Sequence, residues 1–291
     1  MKDKNKGVLL MLIAAFFYAL IAANVKWIEG IPVFEKLFFR TFFGLVICLV
    51  ILCKNKTPIG GNNHLGLIGR GLTGLISTFL YYIALSHAPM AETVTLSNLY
   101  PFLLAVLCFL FLGEKLHWYH LAALCLSFAG AVFIVRPGFH QINFYYIVAL
   151  LSALFMAITY TFLKKVRETD QSEVIVLWYS SICCLGCIPM MFFEQPVIPS
   201  LFQFFQLICL GVVATVFQLL MTAAYRYAPA SELSIYSYSS IIFSAVLGFI
   251  IWGEVPVIFT VIGVVLILIG AYVIFRGENL TLRQHQHRQS K

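Results

Sequence analysis

Residues 88–114 read APMAETVTLSNLYPFLLAVLCFLFLGE, and residues 228–254 read APASELSIYSYSSIIFSAVLGFIIWGE. Aligned without a gap at an offset of 140 residues, both segments begin with Ala-Pro, place a glutamate three residues after that proline, and end in Gly-Glu. A shared preference for apolar residues would align leucine with isoleucine, but it would not align proline, glutamate and glycine at one offset. The chain therefore contains two copies of one structural unit.

The match extends on both sides of these segments. Residues 71–136 align with residues 211–276 without a gap, and Lys26 aligns with Lys164 at the slightly different offset of 138 residues. The predicted domains are a first repeat, a second repeat and a short basic cytoplasmic tail, at residues 1–138, 139–276 and 277–291.

The composition places both repeats in a membrane. Of the 291 residues, 61% are hydrophobic and only 11% are charged, whereas a soluble domain has roughly 45–50% apolar residues. Disordered chains and secreted disulfide scaffolds are excluded by the same numbers. A helix needs about 20 mainly apolar residues to cross a bilayer. Ten such stretches are present, at residues 7–27, 32–53, 67–87, 91–112, 118–136, 144–165, 173–193, 203–225, 231–252 and 256–275.

The distribution of the basic residues predicts the orientation of the spans. If the N-terminus is cytoplasmic, 15 of the 19 Lys and Arg residues fall on the cytoplasmic side, in agreement with the positive-inside rule. The net charge of +7 therefore indicates topology rather than a nucleic-acid partner. Both termini are predicted to be cytoplasmic, in a plasma membrane of the bacterial inner-membrane type.

The fold class that follows is an all-α integral membrane protein of ten transmembrane helices. Because five is an odd number of spans, the second repeat enters the membrane from the opposite side, so the two five-helix repeats are predicted to be inverted. Inverted repeats are typical of secondary transporters, whose halves rock around a central site.

Several further features recur in a recognisable combination. They are Gly-Glu after the fourth span of each repeat, Phe38-Phe39-Arg40 in the second span, Pro101 in the fourth, and the glycines Gly130 and Gly270. Together, over essentially the whole chain, they resemble the EamA-type transporters of the drug/metabolite transporter superfamily. The resemblance implies a secondary carrier of small polar metabolites, above all amino acids and their derivatives, working by alternating access. Residues 32–40 are also similar to the S-adenosylmethionine carriers of this superfamily, which makes that compound the alternative substrate.

Two positions depart from the repeat. Ile241 stands where Pro101 would recur, and Trp178 stands where Arg40 would recur. We therefore expect two halves of unequal chemistry, in which the proline kink and the buried cation are each used once.

Polar side chains within the spans are the candidate substrate-binding residues, because polar groups in hydrocarbon face the bundle interior or a wet cavity. They are concentrated at the start of the ninth span, where they cover every side of the helix. Packing between helices through small hydroxyl groups is the alternative interpretation. The predicted substrate-binding residues are Tyr18, Asn24, Arg40, Thr78, Tyr82, Asn98, Tyr100, Tyr160, Gln218, Tyr236, Tyr238 and Ser239.

Three residues are predicted to gate or couple transport. Glu92 and Glu232 lie in the first turn of mirrored helices, where they would close the two mouths or bind a proton or a cationic substrate; a carboxylate there also complements the helix dipole. Pro101 frees a backbone carbonyl in the middle of a span, which predicts a hinge or a static kink. Arg40 needs a partner inside the membrane, either Glu35 or a substrate carboxylate.

Other functional classes fit the sequence less well. Glu114, His117 and His120 recur every third residue, but the second repeat lacks these histidines, so no metal site and no cofactor are predicted. The sequence has neither a phosphate-binding loop for ATP hydrolysis nor the zinc and nucleophile motifs of an intramembrane enzyme, so an enzyme is not predicted. A channel would be expected to have repeated rings of polar residues around a pore, whereas this sequence predicts two mirrored mouths. The predicted partners are a small-molecule substrate and the lipid bilayer, with protons as the candidate coupling ion, and the oligomeric state stays open.

Overall fold

The computed structural model describes residues 2–113, 117–135, 143–190, 196–224, 227, 233 and 236–289. Regular structure in these residues is helical throughout. The helices of the first repeat are α1 (Lys2–Trp27), α2 (Val33–Asn55), α3 (His64–His87), α4 (Met90–Ser97), α5 (Tyr100–Leu112) and α6 (Trp118–Val135). Those of the second repeat are α7 (Phe144–Val166), α8 (Ser172–Met190), α9 (Leu201–Ala224), α10 (Ser239–Trp252) and α11 (Ile258–Gln289).

The helices agree with the spans predicted from the sequence. Within the described residues, nine helical segments are long and apolar enough to cross a membrane, with α4 and α5 counted together as Met90–Phe111. The apolar helix α10 is shorter, at 14 residues. The protein is therefore an all-helical membrane protein, and each predicted span has a helix in it.

The fourth span is broken where the sequence places its proline. α4 ends at Ser97 and α5 begins at Tyr100, with Pro101 in the first turn of α5. Proline is tolerated there because a first-turn residue has no backbone acceptor for the missing N–H. The intervening backbone is tightened, since the Leu99 N–H donates to the Leu96 carbonyl at 3.2 Å, three residues back.

The second repeat is interrupted at the equivalent place, although it has no proline there. Tyr238 forms a turn and α10 begins at Ser239. The proline is used once, but a helix break occurs in both repeats. A physical reason is that the Ser239 hydroxyl donates to the Tyr236 carbonyl at 2.6 Å, because such side-chain bonds offer the backbone an alternative to the regular helix ladder.

Packing between the two repeats is reciprocal. Helices α7 to α11 are the counterparts of α1, α2, α3, α4–α5 and α6, in that order. α3 packs on α7, and their counterparts α9 and α1 also pack; α2 packs on α9, and their counterparts α8 and α3 also pack. α1 also packs on α10, and their counterparts α7 and α4–α5 also pack; further large contacts join α2 to its own counterpart α8, and α6 to its own counterpart α11. Each of the main contacts between the halves therefore has a matching contact between the counterpart helices.

Glycines allow α6 and α11 to approach each other closely. A Cβ atom on Gly130 would lie 2.6 Å from the Gly263 carbonyl oxygen, and a Cβ atom on Gly263 would lie 2.6 Å from the Gly130 carbonyl oxygen. Gly270 contacts the same helix, with its would-be Cβ 3.0 Å from the Ala123 carbonyl oxygen. Small residues of this kind are the usual basis of helix association in membranes, where lipid provides no hydrophobic drive.

Replacing Gly130 with alanine is expected to separate α6 from α11 and to lower the thermal unfolding temperature of the purified protein in detergent. Overpacking of this kind costs about 1–3 kcal/mol. The matched control is Gly60→Ala, because a Cβ atom on Gly60 meets nothing within 4 Å. Equal unfolding temperatures for the two variants would show that this helix contact is not tightly packed.

Candidate functional site

A small chamber lies between helices of the two repeats. Its volume is about 20 Å³, which is room for about one water molecule. The lining residues come from both repeats and are Met11, Ala15, Tyr18, Asn98, Tyr100, Met156, Tyr160, Phe217, Met221, Ser237 and Ser240. Any metabolite larger than water would need the helices around it to move.

The two helix breaks meet at this chamber. The Asn98 side chain, at the end of α4, donates to the Val94 carbonyl at 2.8 Å and to the Ser240 hydroxyl at 3.3 Å. Ser240 belongs to the first turn of α10, directly after the break in the second repeat. The interrupted backbone of each repeat is thus buried in protein, the setting in which non-helical segments are tolerated at membrane depth.

Stacked aromatic rings form the walls of the chamber. Tyr100 and Tyr160 stack with ring centroids 4.8 Å apart, and the Tyr160 hydroxyl donates to the Met221 sulfur at 3.1 Å. Tyr18 stacks on Tyr81, which lies behind the wall, at 5.5 Å. Faces of this kind can hold a cation or a flat polar group.

The structure brings together only some of the predicted substrate-binding residues. Those that line the chamber are Tyr18, Asn98, Tyr100 and Tyr160. Asn24 instead donates to the Leu20 carbonyl of its own helix at 3.1 Å. The apolar members of the wall, such as Phe217, were missed because an apolar side chain in an apolar span carries no signal in the sequence.

The predicted residues of the ninth span have different roles. Tyr238 is buried against Phe102, with ring centroids 5.9 Å apart. Ser239 and Tyr236 are joined by the hydrogen bond that interrupts the helix. Of this segment, Ser237 and Ser240 are the serines that reach the chamber.

Arg40 is buried, with 6% of its surface exposed. Its guanidinium lies over the Tyr82 ring, 5.5 Å from the ring centroid. Glu35, the structural partner that the sequence allows, instead accepts a hydrogen bond from the Val197 N–H at 2.6 Å. Five residues correspond to about 140° around a helix at 100° per residue, so Glu35 and Arg40 leave α2 on different faces and do not pair.

A second buried arginine was missed. Arg70 is 3% exposed, although it is one of the 15 basic residues that the positive-inside rule placed on the cytoplasmic side. It donates to the Ile175 carbonyl at 3.2 Å and to the Gln218 amide oxygen at 3.5 Å, and it lies 5.0 Å from the centroid of the Tyr179 ring. The predicted residues Thr78 and Gln218 belong to this cluster, since Thr78 and Tyr179 share a hydrogen bond of 3.0 Å. Arg70 is only the fourth residue of the predicted span 67–87, so its position in the sequence matched that of a cytoplasmic positive charge, and its burial depends on the packing of α3.

An ion pair joins the repeats at one end of the bundle, which we call the Lys26 end. Lys26 at the end of α1 pairs with Glu254 after α10, and it also donates to the Ala88 carbonyl at 3.4 Å. The second oxygen of Glu254 accepts from the Met90 N–H at 2.9 Å. A cavity of about 430 Å³ lies beside this pair and is lined by Lys26 and His87 among others. Sequence reasoning noted the Gly-Glu motif but did not assign Glu254 this role.

Of the predicted gating residues, Glu92 and Pro101 lie within the described residues, and Glu232 lies outside them. Glu92 is 4% exposed and accepts a hydrogen bond from the Thr260 hydroxyl at 2.9 Å, which links α4 to α11. It lies at the Lys26 end, because Met90 two residues earlier bonds to Glu254. Pro101 follows Tyr100 of the chamber wall.

The opposite end of the bundle, which we call the Asp170 end, is joined by hydrogen bonds between two loops. Asp170 accepts from the Asn62 N–H at 2.6 Å and from the Asn63 N–H at 3.2 Å. Partial burial raises the pKa of Asp170, but these bonds and one from Thr169 lower it more, so the pKa lies below its ordinary value. The carboxylate is therefore charged at neutral pH, and the junction holds the loop before α3 to the loop before α8.

Broken helices that meet around a chamber inside an apolar bundle are typical of membrane transporters. The model of the EamA-like transporter family matches residues 5–136 and again residues 143–276. The chain belongs to this family.

Several known proteins are similar in sequence or structure to this chain over most of its length. The pseudopaline exporter CntI of Pseudomonas aeruginosa is 28% identical over 276 residues, which cover 94% of this chain and 97% of the exporter. An S-adenosylmethionine uptake transporter of Rickettsia bellii is 25% identical, with 84% of each chain covered. A solved crystal structure matches with a TM-score of 0.69 at 21% identity, covering 92% of this chain and 96% of that one. The last of these supports the fold alone.

Neutralising Lys26 and Glu254 separately and together is expected to reveal an energetic coupling across the Lys26 end. Either single glutamine substitution leaves a partly buried charge without its partner, whereas the double variant leaves none. The expected coupling energy is about 1 kcal/mol in the free energy of unfolding. The control variant is Lys54→Gln, which removes an exposed charge and should combine additively with Glu254→Gln. Additive effects of Lys26→Gln and Glu254→Gln would contradict the pairing.

Proposed function

We propose that this protein is a secondary carrier, not driven by ATP, that moves small polar metabolites across the membrane by alternating access. The observation that carries this proposal is the central chamber. Residues of both repeats line it, including Tyr18 of the first and Tyr160 of the second, and its volume is only about 20 Å³. A site enclosed between two repeats opens when one repeat moves against the other.

The inversion of the repeats is part of the proposal. Five spans in each repeat, at residues 1–138 and 139–276, put the second repeat in the opposite orientation. The reciprocal packing of the helices supports this, as does the double match to the family model. The positive-inside rule supports a cytoplasmic location for both termini and for the tail at 277–291. A bacterial inner membrane is supported by the bacterial relatives.

The two ends of the bundle provide the gates in this mechanism. The Lys26 end is held by an ion pair between the repeats, and the Asp170 end is held by hydrogen bonds between their loops. Alternating access requires each set of contacts to break while the other persists. Both sets of contacts are made by polar groups that water can solvate. Opening either end therefore replaces hydrogen bonds within the protein by hydrogen bonds to water, at a moderate cost in free energy.

The proposed substrates are amino acids or amino-acid derivatives, and the few polar groups in the largely apolar chamber wall support this. Asn98 offers an amide, and the stacked rings of Tyr100 and Tyr160 offer flat faces to a polar guest. S-adenosylmethionine is the alternative, favoured by the uptake transporter among the relatives. The relatives include both an exporter and an uptake transporter, so the direction of transport has to be measured.

Alternating access is tested without knowing the substrate by labelling a cysteine in the chamber. Ser237→Cys, in a variant whose eight native cysteines are replaced by alanine, is expected to react with a membrane-impermeant maleimide from either side. Right-side-out and inside-out vesicles present the two sides separately. The expectation follows because the chamber faces each side in turn.

The matched control is Ile250→Cys in the same background, because Ile250 is 70% exposed on the outer surface of α10 and would face lipid. It is expected to react from neither side. Labelling of the chamber cysteine from one side alone would contradict alternating access. Saturable uptake with counterflow then separates a carrier from a channel.

We further propose that Glu92 and Glu232 gate transport or bind the coupling proton. Glu92 bridges two helices of different repeats through Thr260, so its release would accompany their relative motion. The double variant Glu92→Gln and Glu232→Gln is expected to slow saturable uptake in liposomes by at least tenfold while the protein remains folded. Unchanged uptake would restrict both carboxylates to a helix-capping role.

A further inference from the structure

We infer that Arg40 and Arg70 together form a two-cation binding site for substrates that carry at least two carboxylates. The inference deepens the proposed transport function and rests on it. It concerns which metabolites this chain binds, and it starts from the imbalance between hydrogen-bond donors and acceptors in the bundle interior.

Within the described part of the chain, neither guanidinium has a carboxylate partner. The charged and polar groups there that interact with Arg40 or Arg70 are tyrosines, a cysteine thiol, a carbonyl and an amide. Buried charges in proteins are normally paired. Lys36 is a third buried cation, but its ammonium donates to the Val25 carbonyl at 3.0 Å, near the end of α1. Two buried guanidiniums without a described carboxylate are therefore the feature that needs an explanation.

The two arginines belong to one cluster. The Tyr179 ring of α8 lies beneath Arg70, and the Tyr179 hydroxyl shares a hydrogen bond of 3.0 Å with Thr78. One helical turn from Thr78 on α3 is Tyr82, whose ring lies beneath Arg40. Arg40 reaches this cluster from the second turn of α2, and Arg70 reaches it from the second turn of α3, so they approach from opposite ends of the bundle.

The cluster is continuous with the central chamber. Arg40 lies over Tyr82, whose ring centroid is 6.2 Å from that of Tyr81, and Tyr81 stacks on Tyr18 of the chamber wall. Arg70 donates to Gln218 of α9, the helix that also supplies Phe217 and Met221 to the wall. A guest in an opened chamber would therefore lie close to both guanidiniums, which belong to the first repeat.

Hydrogen-bonding groups without partners point to a missing acceptor. The Nε atom of Arg70 is buried and makes no hydrogen bond, and the buried hydroxyl of Tyr82 has no partner besides the Arg40 guanidinium. Arg70 and Tyr82 are more than nine-tenths buried, and Arg40 lies over the Tyr82 ring. A protonated guanidinium only donates, so the group that would satisfy this cluster is an acceptor, and a negative charge would also offset the two cations.

A carboxylate meets these requirements. Guanidinium binds carboxylate through two parallel hydrogen bonds, and two guanidiniums call for two such groups. Among amino-acid derivatives, those with two or more carboxylates fit best. S-adenosylmethionine carries a sulfonium and an ammonium against one carboxylate, so the unpaired arginines would repel it.

The test is a thermal-shift titration of the purified full-length protein in detergent. The probes are succinate, glutarate, citrate, glutamate and iminodiacetate, with the corresponding amides, acetate, S-adenosylmethionine and sodium chloride at matched ionic strength as comparisons. Ligand binding to the folded state raises the unfolding temperature by mass action. We expect saturable shifts with at least one compound bearing two or more carboxylates and no shift with its amide.

Three substitutions assign any shift to this site. Tyr82→Phe removes a single buried hydroxyl beside Arg40 and keeps the ring, so the free protein should stay folded while the carboxylate binds about threefold or more weakly. Arg70→Gln and Arg40→Lys should weaken it by about tenfold or more. The controls are Tyr272→Phe, on an exposed face of α11, and Lys54→Gln, which removes an exposed charge.

The outcomes separate this inference from the transport proposal. A flat response to all compounds with two or more carboxylates overturns it, as does equal binding of a dicarboxylate and its amide, or a shift that survives all three substitutions. A shift with S-adenosylmethionine alone also overturns it. Two-sided labelling of the chamber cysteine would in each case leave alternating access standing, because that experiment uses no substrate.

Discussion

The cost of placing charge in hydrocarbon is the constraint on which the rest of this structure depends. A charged side chain at the centre of a bilayer costs about 3 kcal/mol on insertion scales, and this chain buries both Arg40 and Arg70 within its spans. Tyrosine rings, a backbone carbonyl and a glutamine amide surround them and offset part of that cost. Because no described carboxylate completes the compensation, the site is poised for an anionic guest.

The same physics accounts for the broken helices. An interrupted backbone leaves polar groups that lipid cannot satisfy, so it is tolerated only inside protein. Both breaks therefore lie together at the chamber, where the Asn98 amide bonds to Ser240 across the two repeats. The regular parts of α6 and α11, in contrast, pack through Gly130 and Gly263 at backbone contact distance. Close packing at this periphery and polar contacts at the centre divide the bundle into a rigid part and a part that can rearrange.

Sequence reasoning succeeded where a single physical rule dominates. Apolar length located the spans, and the fixed offset between Ala88-Pro89 and Ala228-Pro229 revealed the duplication before any contact was known. It failed where two rules compete. Ile241 lacks the proline of the first repeat, yet the helix is interrupted just before it, where the Ser239 hydroxyl donates to the Tyr236 carbonyl. Arg70 followed the positive-inside pattern and was read as topological, although its contacts with Ile175 and Gln218 bury it inside the bundle.

Hydropathy and residue spacing are local or periodic properties of the chain. They were enough to show that it spans a membrane with helices, that it contains an internal duplication, and that it resembles EamA-type transporters. Which polar residues meet depends on the three-dimensional packing of the helices. Arg40 lies over Tyr82 instead of pairing with Glu35, and Lys26 is joined to Glu254 of the other repeat. Such partners are far apart in the chain. Their contact depends on how the helices pack and on which face each helix turns to its neighbour, and a pattern along the sequence does not contain that information.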